Sequence, residues 1–166
     1  AYRALRDRMD KLHLVVVGDG PYLTDMQKAL KALPCTFTGV LTGDDLVAAY
    51  ASADIFVFPS ATDTFGNVVL EAQACGLPVI VSDQGGPREN MLPGKTGLMV
   101  KADEIGDLVT AIQSLVADQQ RRQTMGAAAR QYMEERSFDA AFLKMWDLYC
   151  DMPAAQNDAW RQAAGF

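Results

Sequence analysis

Residues 55–81 admit few folds. Ile55–Phe58 is a short apolar run, Pro59–Phe65 is small, polar and loop-like, and Val79–Val81 is a second apolar run. Between them a helix is expected to open at Gly66 or Asn67 and to close at Gly76. Two strands joined tightly through a loop and a short helix leave the helix start at the rim of a sheet. Two carboxylates, Asp63 and Glu71, bracket that start. A helix amino-terminus presents free backbone N–H groups and the positive end of its dipole, which favours an anion. An ionised carboxylate only accepts hydrogen bonds, so it suits hydroxyls. An anion in the middle with hydroxyls at both ends is the chemical profile of a nucleotide sugar.

The rest of the chain repeats the pattern. Leu14–Val17 is a continuous apolar run stopped by Gly18-Asp19-Gly20-Pro21. Without alternation it reads as a central parallel strand buried on both faces. Pro21 suits the first position of a helix, and Leu23, Met26, Leu30 and Leu33 keep helical spacing up to Pro34. Thr36–Thr38 is a brief strand ending at Gly39, and Leu46, Ala49, Tyr50 and Ala53 mark a helix capped by Thr42 or Asp44. Ser82–Gly94 is a long loop or short helix, Thr96–Val100 a last strand, and Asp103 and Asp118 are expected to cap two further helices, the second running to about Glu135. Ser137 is expected to cap a final helix over about 137–150, with Phe138, Phe142, Met145 and Tyr149 on one side.

Strands alternating with helices predict an α/β fold, a Rossmann-like, doubly wound parallel sheet with helices on both faces. In such sheets ligands bind beyond the carboxyl ends of the strands. Gly18–Gly20, Gly39, Pro59–Gly66 and Gly85-Gly86 all fall at such ends.

Bulk properties narrow the function. A chain of 166 residues is one domain long enough to bury most of its apolar surface. The net charge of -6 disfavours broad nucleic-acid binding, which needs a basic face. No apolar run approaches the roughly 18 residues of a membrane span. Cys35, Cys75 and Cys150 are scattered and odd in number, which fits reduced thiols in the cytoplasm rather than a disulfide framework or a metal site. The start, charged and without an initiating Met, reads as the inside of a helix and not as a signal peptide, so the chain is expected to be a fragment.

The stretch Asp63-Thr-Phe-Gly-Asn-Val-Val-Leu-Glu71 resembles the retaining, GT-B-fold glycosyltransferases of family 4. Val16–Pro21, Ala53–Ser60, Ala74–Ile80 and Gly85–Glu89 agree in the same order, and the match covers residues 12 to about 135. Gly-Asp-Gly-Pro alone would be any tight turn; the set is specific.

The resemblance implies the carboxy-terminal, donor-binding half of a metal-independent enzyme. That enzyme would move a hexose from a UDP- or GDP-linked donor to a hydroxyl acceptor. Glu71 would hold the ribose hydroxyls. Asp63, the catalytic assignment, would face the transferred sugar and the pyrophosphate together with the Phe65-Gly66-Asn67 backbone. Gly18–Gly20 and the turn after Gly39 would lie near base and ribose, and Gly85 and Gly86 near the donor. The family usually carries Glu where this chain has Asp63, which keeps the charge and shortens the reach. The resemblance implies no cofactor, and the parent is expected to be cytoplasmic, with peripheral attachment to a membrane left open.

By the same resemblance an amino-terminal domain, a first strand of the Gly-Arg-Leu type and a nearby Lys are absent from these residues. The missing strand would leave a gap between strands 14–17 and 55–58, closed by direct pairing, by another segment, or by a longer parent. The final helix would cross to the absent domain.

Plainer readings stand beside these. Glu71 is otherwise a solvated helix residue, Asp63 a turn or cap residue, and Gly85-Gly86 a flexible turn. Arg88 is expected to be solvated, Glu89 to fix its loop, and His13 to be structural. A nucleotide-sugar 2-epimerase shares the two-domain architecture, but no acid/base set for it is visible. A noncatalytic module such as a flavodoxin-like receiver wants adjacent acids after its first strand and an Asp after a middle strand. Here the strands are followed by a single Asp19 and by Pro59-Ser60.

Overall fold

The computed structural model describes residues 1–136, in which five short strands alternate with helices. After α1 (Tyr2–Arg6) come β1 (Leu14–Val17), α2 (Leu23–Leu30), β2 (Cys35–Gly39) and α3 (Gly43–Ala51). The second group is β3 (Phe56–Phe58), α4 (Asn67–Ala74), β4 (Val79–Ser82), a 3₁₀ turn (Gly86–Asn90), β5 (Gly97–Val100), α5 (Ile105–Ala117) and α6 (Gln119–Glu134). The helix expected from Ser137, with its apolar stripe, lies outside the described residues.

All strand pairs are parallel, but they form two sheets: β1-β2, and β3-β4-β5 with β4 central. Direct pairing of strand 14–17 with strand 55–58 is therefore not formed, and among the described residues no strand pairs with both β1 and β3. This corrects the expectation that Leu14–Val17 is buried on both faces. With one neighbour only, β1 alternates between half-buried and exposed, and Val15 and Val17 keep 50% and 41% of their surface. Burial on both faces is realised by β4 instead, whose residues Val79–Ser82 are all buried.

The β3-β4-β5 sheet carries the core on both sides. On one side Val79 and Val81 pack with Tyr50 of α3 and with Val69 and Ala72 of α4. On the other, Ile80 and Val100 pack with Ala111 and Leu115 of α5 and Met125 of α6. Successive residues of β4 point to opposite faces, so one apolar strand nucleates both clusters.

Local chemistry explains the element ends. Gly76, at φ 79, closes α4: its N–H bonds Gln73 O at 2.9 Å, and Leu77 N–H bonds Ala72 O at 3.0 Å. This is a Schellman turn, for which the left-handed residue is best a glycine. Asp118 caps α6, its side chain accepting from Arg121 N–H at 2.9 Å. Two expected starts shift. Pro21 lies in the turn before α2, where Leu23 N–H bonds Gly20 O at 3.0 Å. Asp103 adopts φ 60, leaving Glu104 as the cap position of α5.

α6 lies against the end of α4 without room for a side chain. A Cβ at Gly126 would come within 2.3 Å of Gly76 O, inside the Schellman turn. Gly126→Ala is therefore expected to destabilise the chain by about 1–3 kcal/mol, although alanine gains roughly 1 kcal/mol of helix propensity over glycine. Urea unfolding measures this; an unchanged or raised midpoint would contradict the close approach.

Candidate functional site at the carboxyl rim

The loop between β3 and α4 is built from its own polar groups. Ser60 Oγ accepts from Asp63 N–H at 3.3 Å, and Asp63 Oδ1 accepts from Phe65 N–H at 2.9 Å. The second bond is an Asx turn, the plainer role open to Asp63. It occupies one carboxylate oxygen and leaves Oδ2 outside the turn. Gly66 then takes φ 79 and serves as the cap position of α4.

No side chain caps that helix. Among the described residues nothing accepts a hydrogen bond from the amides of Asn67 and Val68; the first bond is Val69 N–H to Gly66 O at 2.9 Å. Asn67 is exposed, and Phe65 keeps 54% of its surface. The helix start is thus uncapped, with Asn67 exposed, Val68 half-buried and Gly66 buried beside Pro87.

The Gly85-Gly86 pair packs under this loop. Gly86 N–H bonds Asp63 O at 2.9 Å. A Cβ on Gly86 would stand 2.0 Å from Thr64 O, and one on Gly85 2.8 Å from Asp63 O. Gly66 meets Pro87 in the same way, at 2.8 Å. The close approach expected of the glycine pair is thus an approach to the protein's own loop.

Beneath, Gln73 is fully buried and donates through Nε2 to Val69 O at 3.2 Å and Asn90 O at 2.7 Å. Asn90 Nδ2 donates onward to Phe65 O. A buried amide pair thus ties α4, the 3₁₀ turn and the site loop into one body. Neither amide stands out in the sequence: Gln73 sits in a mostly apolar helix, but Asn90 follows the charged Arg88-Glu89 of a short turn.

Glu71 lies on α4 with its side chain exposed. Its Oε2 accepts from the phenol of Tyr50 at 3.0 Å. Tyr50 is only 8% exposed, its ring set edge-on to Phe56 at 5.6 Å. Burial, then the neighbouring Glu71 carboxylate, pushes the phenol well above its ordinary value, so Tyr50 keeps its proton and acts as donor.

Gly18, Gly20 and Gly39 belong to the other sheet, at the carboxyl ends of β1 and β2. Gly18 N–H bonds Gly39 O at 2.7 Å, and a Cβ at any of the three would meet nothing within 4 Å. The structure therefore joins Asp63, Phe65, Gly66, Asn67, Gly85 and Gly86 in one assembly, while Gly18 and Gly20 stand on a separate pair of strands.

Arg88 and His13 make contacts within the protein. Arg88 Nη1 donates to Asp83 O at 2.8 Å, and His13 Nε2 lies 2.9 Å from Thr36 Oγ1. Among the described residues no cluster of His, Cys, Asp and Glu is placed to hold a metal, and no helix is long and apolar enough to cross a membrane.

Two hollows, of about 310 Å³ and about 180 Å³, lie elsewhere. One is lined by Gly94, Asp118 and Arg121, the other by Asp54, Gly76 and Arg122. Asp54, Gly76 and Gly94 precede β3, β4 and β5, and the others lie at the start of α6, so both hollows lie at the amino-terminal rim. Among the described residues, the carboxyl rim is where the uncapped amides of α4 lie between Asp63 and Glu71.

Fold and rim together define a doubly wound α/β domain of the GT-B type. The chain belongs to the family of glycosyl transferases group 1, which matches residues 1–132. It is 39% identical over 147 residues to sulfoquinovosyl transferase SQD2 of Arabidopsis thaliana, covering 86% of this chain and 29% of that protein. It is 42% identical over 144 residues to a GDP-mannose-dependent alpha-mannosyltransferase of Mycolicibacterium smegmatis, covering 86% of this chain and 35% of that one. The chain thus spans about a third of the length of the curated relatives it matches.

Among solved structures it is similar to sucrose-phosphate synthase of Thermosynechococcus elongatus, with a TM-score of 0.72 and 30% identity over 88% of this chain and 40% of that chain. HepE of Anabaena, crystallised with UDP-glucose, superposes with a TM-score of 0.74 at 23% identity, covering 90% of this chain and 44% of that one; at that identity the likeness concerns the fold.

Proposed function

We propose that this chain binds the nucleoside-diphosphate-sugar donor of a retaining, metal-independent glycosyltransferase that moves a hexose to a hydroxyl acceptor. The observation that carries the reading is the uncapped start of α4, with free amides at Asn67 and Val68, between Asp63 and Glu71. A diphosphate is doubly served by such a terminus, by hydrogen bonds and by the dipole. Glu71 accepts from the ribose diol. Asp63, through the oxygen outside its Asx turn, accepts from a sugar hydroxyl. Gly18 and Gly20 leave open space at the neighbouring strand ends, where base and ribose extend.

Two relatives support the donor class. One is named as GDP-mannose-dependent, and a structural neighbour holds UDP-glucose. The donor sugar is UDP- or GDP-linked on this reading. The acceptor site and the cations that neutralise the leaving diphosphate belong to polypeptide outside these residues, as the greater length of the relatives suggests.

Charge sets the affinity. Two carboxylates flank the diphosphate, and the described cation of the neighbouring loop, Arg88, is engaged by Asp83 O. Saturation-transfer NMR of this chain with UDP, GDP and ADP is expected to show weak, submillimolar binding of UDP or GDP. Sugar transfer is not expected from this chain alone. No binding of any of the three, or turnover by the isolated chain, would overturn the reading.

A further inference from the structure

We propose that Tyr50 is a positioning residue, whose phenol fixes the Glu71 carboxylate in the orientation that receives the ribose hydroxyls of a nucleoside diphosphate. The inference rests on the reading of Glu71 given above and extends it to a residue on another element.

An exposed glutamate on a helix has three rotatable side-chain bonds, and freezing them costs part of any binding energy. Glu71 is exposed, yet Oε2 is held at 3.0 Å by a donor from the core. The donor itself cannot wander. The Tyr50 ring is 8% exposed and packs edge-on against Phe56 at 5.6 Å, and Phe56 in turn stacks on Phe58 at 6.2 Å. A chain of three rings, running from α3 into β3, therefore ends on the carboxylate.

A carboxylate has about four acceptor sites. The phenol uses one, on Oε2, and leaves Oε1 and the second lone pair of Oε2 for a vicinal diol. Hydrogen bonds to an ionised acceptor are among the stronger ones, so the phenol also fixes which oxygen is spent on the protein. Since Tyr50 holds its proton well above neutral pH, this donor persists wherever the protein is folded and Glu71 is ionised.

The test uses the whole chain and four probes: UDP, GDP and their 2′,3′-dideoxy analogues, which lack the diol. Tyr50→Phe keeps the ring and its packing and removes only the donor. It is expected to weaken UDP or GDP binding about threefold to tenfold and to leave the dideoxy analogues unchanged. Glu71→Ala is expected to bring the ribonucleotide down to the level of its dideoxy analogue, and Tyr50→Phe added to Glu71→Ala to cause no further loss.

Equal losses for both sugars would show that Tyr50 acts through the fold, and would overturn the positioning role. So would unchanged binding of all probes by Tyr50→Phe while Glu71→Ala loses the ribonucleotide. Unchanged binding by Glu71→Ala is a different failure: it removes the ribose role of Glu71, and the positioning role with it.

Discussion

Glu71→Ala is expected to weaken the binding of UDP and GDP by about tenfold to a hundredfold. The estimate follows from the chemistry of the bond lost: hydrogen bonds to a charged group contribute about 1.5–3 kcal/mol, and each 1.4 kcal/mol is about tenfold in affinity. The loss is specific to binding, because Glu71 is exposed and belongs to neither core cluster. Its contact with the fold is the phenol of Tyr50. Removing it orphans that phenol, so a modest fall in stability accompanies the variant. Glu71→Gln separates the two effects. The amide oxygen still accepts from Tyr50, so stability recovers, while the charge that attracts the diol is gone and most of the affinity loss remains. Isothermal calorimetry or ligand-observed NMR, paired with thermal melting, reads both quantities. Glu71→Ala with undiminished affinity would return the residue to a solvated helix face.

Gly86→Ala is the variant with the largest expected structural effect. Its Cβ would meet Thr64 O at 2.0 Å, Thr64 C at 2.4 Å and Phe65 N at 2.8 Å. These are backbone atoms, so no rotamer change relieves the clash. Either the loop 63–66 moves off the 3₁₀ turn or the turn unwinds. Overpacking of this kind costs about 3 kcal/mol or more, which for a domain of this size is roughly a 6–12 °C fall in melting temperature. The movement also breaks the bonds from Gly86 N–H to Asp63 O and from Asn90 to Phe65 O, so the amides at the start of α4 lose their placement. Nucleotide binding is expected to be lost in any fraction that still folds. Gly106→Ala is the control. Gly106 lies in the first turn of α5 with nothing within 4 Å of its Cβ, and alanine there is neutral or stabilising. Equal melting of the two variants would contradict the packing of the glycine pair against the loop.

Much of the architecture was legible because short β-branched runs and glycine stops are local. β3, α4 and β4 follow from residues 55–81, and the close of α4 at Gly76 follows from one glycine before Leu77-Pro78. What failed was what depends on neighbours. The valines of β1 look like a core strand, but hydrophobicity does not say whether a second strand lies alongside, and among the described residues only β2 pairs with it. Asp103 resembles a cap, but its backbone enters the left-handed region one residue early and yields the position to Glu104.

The site divides in the same way. That Asp63 precedes and Glu71 lies within a helix opening at Gly66-Asn67 was readable from spacing. The reason for Gly85-Gly86 was not, because a glycine tolerates close approach by any partner, and here the backbone of the protein's own loop lies against it. Tyr50 was read as a helix-stripe residue. Its hydrogen bond to Glu71 spans two helices and the strand between them, and no pattern along the chain announces such a pair. A buried tyrosine needs a partner for its hydroxyl, and that was the one clue.

The central claim is that a diphosphate lies on the amides at the start of α4. A titration of isotope-labelled chain with UDP and with GDP, followed by backbone amide shifts, tests it residue by residue. The account predicts the largest shifts at Gly66, Asn67 and Val68, with smaller ones at Asp63 and Glu71. Shifts centred instead on Gly94, Arg121 and Thr124, the hollow at the opposite rim, or a spectrum unmoved by either nucleotide, would contradict it.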